Sequence, residues 1–132
     1  MSVIQSERKL STVQFITSAR DLLNVVVRTC ARIPKKYTFY GLIHAYNLAQ
    51  SIVDDLVRGN TVYLNTVENY NKRKNYFDNA LENLNCLSMH ISYLKEYAEI
   101  EEKYWIKISS LIETTQSLVK KIKTSDKERM GV

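Results

Sequence analysis

Proline and glycine are scarce in this chain of 132 residues, which contains one proline and three glycines. Pro34 is the only proline, and Gly41 and Gly59 are the only glycines before the C-terminal tail. Because these residue types interrupt regular structure most often, their scarcity predicts long helices joined by short turns. The sequence also lacks the glycine-rich loop with which many nucleotide-binding proteins hold phosphate groups.

Cysteine is scarce as well, and its two copies, Cys30 and Cys86, stand far apart without the spacing of metal ligands. The longest apolar run, residues 22–27, is interrupted by Asn24 and is far too short to span a bilayer. The chain does not open with the charged segment, apolar core and small-residue cleavage site of a secretory signal. We therefore expect a protein of the reducing cytoplasm with no membrane association.

Histidine occurs twice, and neither copy has the neighbours that catalytic or metal-binding bundles require. Di-iron bundles use Glu-x-x-His pairs, but Gly41 and Leu87 stand three residues before His44 and His90. Bundle ribonucleases of the HEPN class carry an arginine five or six residues before a histidine, and that arginine is absent here. No serine or cysteine lies in a recognisable nucleophile motif. The sequence therefore predicts a protein that is not an enzyme and that uses no metal or cofactor.

Apolar residues recur at alternating spacings of three and four along four segments, which is the pattern of amphipathic helices. Ser11 is a candidate N-cap of the first helix, and Pro34 ends that helix. The second helix is predicted over residues 38–58, closed by a left-handed cap at residues 59–60. The last two helices meet at a turn near residues 98–100. Turns this short predict an all-α, antiparallel up-down-up-down four-helix bundle.

The pattern divides the chain into one folded domain and two terminal segments. Residues 1–10 show little apolar periodicity and are predicted to form a flexible N-terminal arm. Residues 11–123 form the predicted four-helix bundle. The charged residues 124–132 are predicted to form a flexible C-terminal tail.

The third helix is the longest, and its predicted buried seam has a polar break at Lys74. A helix of about 25 residues extends roughly 37 Å, so we expect its first turns to project beyond the rest of the bundle. The predicted seam of this helix is Val67, Tyr70, Lys74, Phe77, Leu81, Leu84, Ser88 and Ile91, supported by Ala80, Leu87 and Leu94. The predicted seam of the fourth helix is Tyr104, Ile108, Leu111, Thr115, Leu118 and Ile122, with Trp105, Ile112 and Val119 beside it.

Basic residues outnumber acidic ones, with 19 Lys and Arg against 14 Asp and Glu and a net charge of +5. Basic and aromatic residues coincide twice, from Arg32 to Tyr40 and from Tyr70 to Tyr76. Such clusters suit nucleic acid, because cations hold phosphates and tyrosines stack on unpaired bases. The alternative is that these residues are solvated helix faces and core tyrosines.

Four features occur in order along the chain. They are an I-P-K-K turn at residues 33–36, an aromatic residue followed by Gly41, a V-R-G-N helix ending at residues 57–60, and a K-R-K-N-Y-F-D-N-A-L-E-N-L run at residues 72–84. Together they resemble the bacterial four-helix-bundle family that includes the accessory variability determinant (Avd) proteins of diversity-generating retroelements. Relatives of that family include the proteins encoded in 23S ribosomal RNA intervening sequences. The resemblance covers residues 12–123.

The resemblance implies a homopentamer, in which five bundles form a barrel with a basic outer surface. It also implies binding to a retroelement reverse transcriptase and its template RNA, without an active site in the bundle itself. Carried over by position, the two basic clusters become candidate nucleic-acid contacts, with tyrosines beside them available to stack on bases. The full candidate set is Arg32, Lys35, Lys36, Tyr37, Tyr40, Tyr70, Lys72, Arg73, Lys74 and Tyr76.

Residue pattern and resemblance together predict a non-catalytic, oligomeric accessory protein of a reverse transcriptase that binds RNA or DNA. A second hypothesis assumes the same four-helix bundle but no binding of nucleic acid. In that case the protein is a protein–protein interaction module that docks a partner helix or a polymerase.

Overall fold

Four α-helices form the fold. The computed structural model describes residues 2–36 and 41–132, with side chains described from Gln14 onward. The helices are α1 (Ser2–Arg32), α2 (Leu42–Thr61), α3 (Val67–Tyr97) and α4 (Glu102–Met130). The described ranges contain no strand, which confirms the prediction of an all-α four-helix bundle.

Each helix packs against two others. Helix α1 contacts α2 and α4, and α3 contacts the same two helices, so the four helices enclose a shared core. Its largest fully buried side chains come from all four helices, and they are Phe15, Phe77, Leu22, Ile52, Leu56, Leu84, Leu87, Leu94, Ile108, Val26, Val119 and Thr29. A polar contact joins α1 to α4 within this interior, where the hydroxyl oxygens of Ser18 and Thr115 lie 2.6 Å apart.

The buried seam of α3 differs from the predicted one at every second position. Its buried residues are Tyr70, Arg73, Phe77, Ala80, Leu84, Leu87, Ile91 and Leu94. The prediction was right at the heptad positions such as Phe77 and Leu84, and wrong where it chose Lys74 and Ser88, which are exposed. The cause is that a seam with spacings of three and four can place its second row on either side of the first.

Helix α4 continues through most of the predicted C-terminal tail. It ends at Met130, where Gly131 adopts a left-handed conformation with φ of 68° and its N–H donates to the Glu128 carbonyl. Asp126, inside the segment predicted to be flexible, is 3% exposed. At the other end of the chain, residues 2–10 belong to α1.

Gly59 does not have the predicted role of a left-handed cap. It lies inside α2, which continues to Thr61, and within the described residues only Gly41 and Gly131 have a positive φ. A Cβ at residue 59 would lie 2.5 Å from Cε1 of Phe77. Gly59 is therefore a point of close approach, at which the α2 backbone accommodates the buried ring of Phe77.

Candidate nucleic-acid interface

The two predicted basic clusters lie at opposite ends of the bundle. The Arg32 guanidinium carbon lies 4.6 Å from the ring centroid of Tyr104, near the start of α4. Arg73 instead contacts Asp126, near the end of α4. A helix rises about 1.5 Å per residue, so Tyr104 and Asp126 are roughly 33 Å apart. We name these regions the Arg32 end (Arg32 and Tyr104) and the Arg73 end (Arg73 and Asp126), and no compact site can include both.

At the Arg32 end, the predicted basic residues are exposed. Arg32 is the last residue of α1, and Lys35 and Lys36 follow immediately after Pro34. The tyrosines predicted to stack on bases beside them, Tyr37 and Tyr40, lie outside the described residues. The basic half of this predicted cluster therefore faces solvent.

At the Arg73 end, Arg73 is buried and is not available to a ligand. Its side chain is 9% exposed, and its Nε donates to Oδ2 of Asp126 at 2.6 Å. The guanidinium also lies 5.0 Å from the ring centroid of Phe77 and within 3.4 Å of the Gly59 carbonyl oxygen. These partners occupy the group, so the prediction that Arg73 contacts nucleic acid is corrected.

The neighbours of Arg73 are divided between surface and interior. Lys72 and Lys74 are exposed, whereas Tyr70 is only 9% exposed and Tyr76 is half-buried. Lys74 lies 4.0 Å from Asp78, a carboxylate that also pairs with Lys123. The burial of Tyr70 corrects its predicted role in stacking on bases. Its α3 turn does not project from the bundle, because the long α4 continues beside it as far as Asp126.

Three residues that were not predicted as nucleic-acid contacts complete the surface of the Arg32 end. Arg28, Tyr104 and Lys107 line a cleft of about 420 Å³ together with Arg32. Arg28 lies one helical turn before Arg32, a spacing that places both on one face of α1 and was a usable signal. Lys107 carried no such signal, since only the packing of α1 against α4 brings it to the cleft.

Acidic residues are also present near this end. Four glutamates surround the α3–α4 connection, and two of them have basic partners, since Glu102 pairs with Lys95 at 2.6 Å and Glu101 with Lys103 at 3.3 Å. No carboxylate is among the residues that line the cleft. The side where α1 meets α4 therefore carries exposed positive charge with no carboxylate in the lining of the cleft.

The two histidines contact each other, and of the two cysteines Cys30 is partly buried and Cys86 is exposed. The rings of His44 and His90 meet edge to face with centroids 4.7 Å apart, and Nε2 of His90 lies 2.9 Å from the Gly41 carbonyl oxygen. Burial raises the pKa of the Cys30 thiol to about 11, so the thiol stays protonated at neutral pH. Throughout the described ranges, no group of three or more His, Cys, Asp or Glu side chains is arranged to hold a metal ion.

The four helices and the net charge of +5 define the chain as a basic four-helix bundle. A search of protein-family models, of curated proteins and of solved structures finds no match to this chain. In the part of the chain that the structure describes, no helix combines the length and apolar character needed to cross a membrane.

Proposed function

We propose that this protein is a non-catalytic nucleic-acid-binding bundle that serves as an accessory to a reverse transcriptase. The observation that carries the proposal is the basic surface of the Arg32 end, where Arg28, Arg32, Lys35, Lys36 and Lys107 are all exposed. Phosphate backbones bind such surfaces through charge, independently of sequence. The partnership with a reverse transcriptase, in the reducing cytoplasm, comes from the resemblance to Avd proteins.

The proposal includes an antiparallel, up-down-up-down arrangement of the helices. Support comes from contacts that join early residues of one helix to late residues of its neighbour. His90, late in α3, lies against Gly41 at the start of α2. Arg73, early in α3, pairs with Asp126, late in α4.

The proposal also includes self-association into a homopentamer. Met89, Tyr93 and Tyr97 succeed one another at spacings of four along α3, and they are 76%, 46% and 49% exposed. Residues four apart share one face of a helix, so these three form an exposed apolar row. Exposed rows of this kind are typical of protein–protein contacts.

The same row supports the second candidate function, a protein-interaction module that binds no nucleic acid. In this case Met89, Tyr93 and Tyr97 would dock a partner helix, and the basic residues would only keep the surface solvated. The two candidates differ in one measurable property, the affinity of the protein for nucleic acid.

Fluorescence anisotropy with a labelled single-stranded RNA tests the proposal. The triple substitution Arg32→Glu, Lys35→Glu and Lys36→Glu should weaken binding by at least about tenfold, because it reverses three charges at the Arg32 end. The control carries the same charge change on exposed lysines elsewhere on α4, Lys120→Glu, Lys121→Glu and Lys127→Glu. Equal weakening in both variants, or unchanged affinity in the first, would rule out a nucleic-acid site at the Arg32 end.

Native mass spectrometry of protein purified without nuclease tests the assembly. Five chains with nucleic acid attached is the expected composition. A monomer or dimer free of nucleic acid would instead favour the interaction module. Cleavage of labelled RNA during prolonged incubation with the purified protein would contradict the non-catalytic assignment.

A further inference from the structure

The cleft between α1 and α4 has the dimensions of a ligand site. Its volume of about 420 Å³ lies within the range of roughly 300–1,000 Å³ that small-molecule pockets occupy. Three basic side chains, Arg28, Arg32 and Lys107, stand around it, and Tyr104 forms part of its wall. The cleft therefore combines a concave shape with a single sign of charge.

These three cations have no carboxylate to neutralise them within the described residues. None of them forms an ion pair there, although six ion pairs occur elsewhere among the same residues. Like charges gathered around one cleft repel each other, and an anion placed among them relieves that repulsion. The arrangement favours a ligand that brings negative charge.

A favourable interaction with a helix dipole accounts for the position of only one of the three cations. Arg32 lies in the last turn of α1, where a cation offsets the partial negative charge of the helix end. Arg28 lies before that last turn, and Lys107 lies in the first half of α4, where the dipole offers a cation no benefit. The helix ends alone therefore do not account for the cluster.

Arg32 is held in a defined orientation. Its guanidinium carbon lies over the ring of Tyr104, 4.6 Å from the centroid, and a cation over an aromatic face keeps its N–H donors available to other partners. A planar fork of donors matches the oxygens of a phosphate group. The tyrosine thus prepares the arginine for binding an anion.

The floor of the cleft adds an unused polar group. Thr29 is 1% exposed, and its hydroxyl has no hydrogen-bond partner among the described residues. Within those residues it is the only buried side-chain oxygen or nitrogen without a partner. Buried hydroxyls are normally paired, so an unpaired one among the residues that line the cleft is unusual. Because this oxygen is enclosed, we assign it no contact with a ligand.

We infer that this cleft is a phosphate-binding site, with Arg28 and Lys107 neutralising the phosphate and Arg32, oriented by Tyr104, donating to its oxygens. The assignment of that phosphate to the backbone of a nucleic acid rests on the proposed function. The same chemistry would also hold a free phosphate ion. The two sources are separated by experiment.

The experiment compares two variants with the same loss of charge. Arg28→Gln with Lys107→Gln removes two cations from the cleft, and Lys120→Gln with Lys127→Gln removes two exposed cations from the C-terminal half of α4, outside the candidate nucleic-acid contacts. Binding of a labelled single-stranded RNA is measured by anisotropy over a range of salt concentrations. The cleft variant should bind about tenfold more weakly. The slope of its log binding constant against log salt concentration should become less steep by about 0.7 for each phosphate that the protein no longer neutralises. The control should change by about twofold or less.

A parallel measurement uses inorganic phosphate alone, followed by the chemical shifts of backbone amides around Arg28 and Lys107. Shifts in the wild type that disappear in the cleft variant support the site. If these shifts occur while the wild type binds no RNA, the phosphate site is supported and the proposed function is refuted. If RNA binds equally well to the wild type and the cleft variant, the cleft is not a site for the RNA backbone and the proposed function is retained. Equal weakening in the two variants overturns the cleft, since it shows that net charge alone governs binding.

Discussion

At the Arg73 end of the bundle an arginine is enclosed with a carboxylate, whereas at the Arg32 end two arginines on α1 remain exposed beside a tyrosine. The residue type is the same and the outcome is opposite. Arg73 occupies a seam position between Tyr70 and Phe77, so the packing of α3 carries it inward. Arg28 and Arg32 lie beside the buried row of α1, so the same packing leaves them outside. Basic residues near an aromatic residue therefore indicate a binding surface only when they lie off the buried seam.

The largest expected effect comes from removing the partner of the buried arginine. Asp126→Ala leaves the Arg73 guanidinium without its counter-charge in an interior position. We expect the free energy of unfolding to fall by about 3–5 kcal/mol, measured by urea denaturation.

A double variant separates the ion pair from the packing around it. Arg73→Met with Asp126→Leu removes both charges and keeps similar volume, so it should recover most of the stability that Asp126→Ala loses. A loss under about 1 kcal/mol for Asp126→Ala alone would mean that Arg73 reaches solvent, as the sequence analysis predicted. The contrast between the two ends would then disappear.

The second effect, also at the Arg73 end, concerns the close approach of Gly59 to Phe77. Gly59→Ala should lower the free energy of unfolding by about 1–3 kcal/mol, because the added Cβ meets a fully buried ring. The higher helix propensity of alanine, worth about 1 kcal/mol, opposes this loss. Thermal and urea unfolding both measure the result.

Gly59→Asn serves as the companion variant. Asparagine tolerates a left-handed cap better than alanine does, but it is larger and should cost more stability against Phe77. If Gly59→Asn proved more stable than Gly59→Ala, residue 59 would be the left-handed cap that the sequence suggested.

The third effect is a gain in stability at the Arg32 end. Thr29→Val replaces a buried, unpaired hydroxyl with a methyl group of similar shape. We expect the free energy of unfolding to rise by about 1 kcal/mol, because valine carries no polar group that must be desolvated without a partner.

Thr115→Val is the matched control for this gain. The Thr115 hydroxyl lies 2.6 Å from that of Ser18 and 2.7 Å from the Leu111 carbonyl oxygen, so its removal leaves Ser18 without its partner. Stability should fall by about 1 kcal/mol. Losses of similar size in both variants would show that Thr29 is hydrogen-bonded in solution.

The smallest effect belongs to the exposed cations. Arg28→Ala should change the free energy of unfolding by no more than about 0.5 kcal/mol, because the side chain is exposed and has no ion-pair partner among the described residues. Measured beside Asp126→Ala, it gives the two extremes of the comparison. A loss as large as about 2 kcal/mol would assign Arg28 a structural role and weaken the case for a ligand.

Much of the bundle could be predicted from the sequence, but the rotation of its helices about their axes could not. The heptad positions Tyr70, Phe77, Leu84 and Ile91 are common to the predicted and observed seams of α3. The predicted seam placed its second row one residue late, at Lys74, Leu81 and Ser88, and gave the buried Ala80, Leu87 and Leu94 only a supporting position. A helix between two neighbours needs small residues where backbones approach, and composition alone does not reveal that need.

The buried ion pair had a signal that extends the same pattern. The buried row of α4 runs through Trp105, Ile108, Ile112, Thr115, Val119 and Asp126 at spacings of three and four, with Ile122 partly buried between the last two. Following that row past the last apolar residue reaches Asp126, and following the row of α3 back from Phe77 reaches Arg73. Two opposite charges on two buried rows predict a pair, provided that the rows are in the correct phase.

The sequence by itself determined the number of helices, the approximate positions of the turns between them and the basic character of the surface. These properties follow from local chemistry, since periodic apolar residues and scarce proline and glycine act within a few residues of themselves. The tertiary structure alone decided which cations are enclosed and which remain open. That choice depends on how α3 and α4 are rotated against their neighbours, and a rotation by one residue exchanges an interior arginine for an exposed lysine. It also placed Lys107 beside Arg28, because residues far apart in the chain meet only through the packing of α1 on α4.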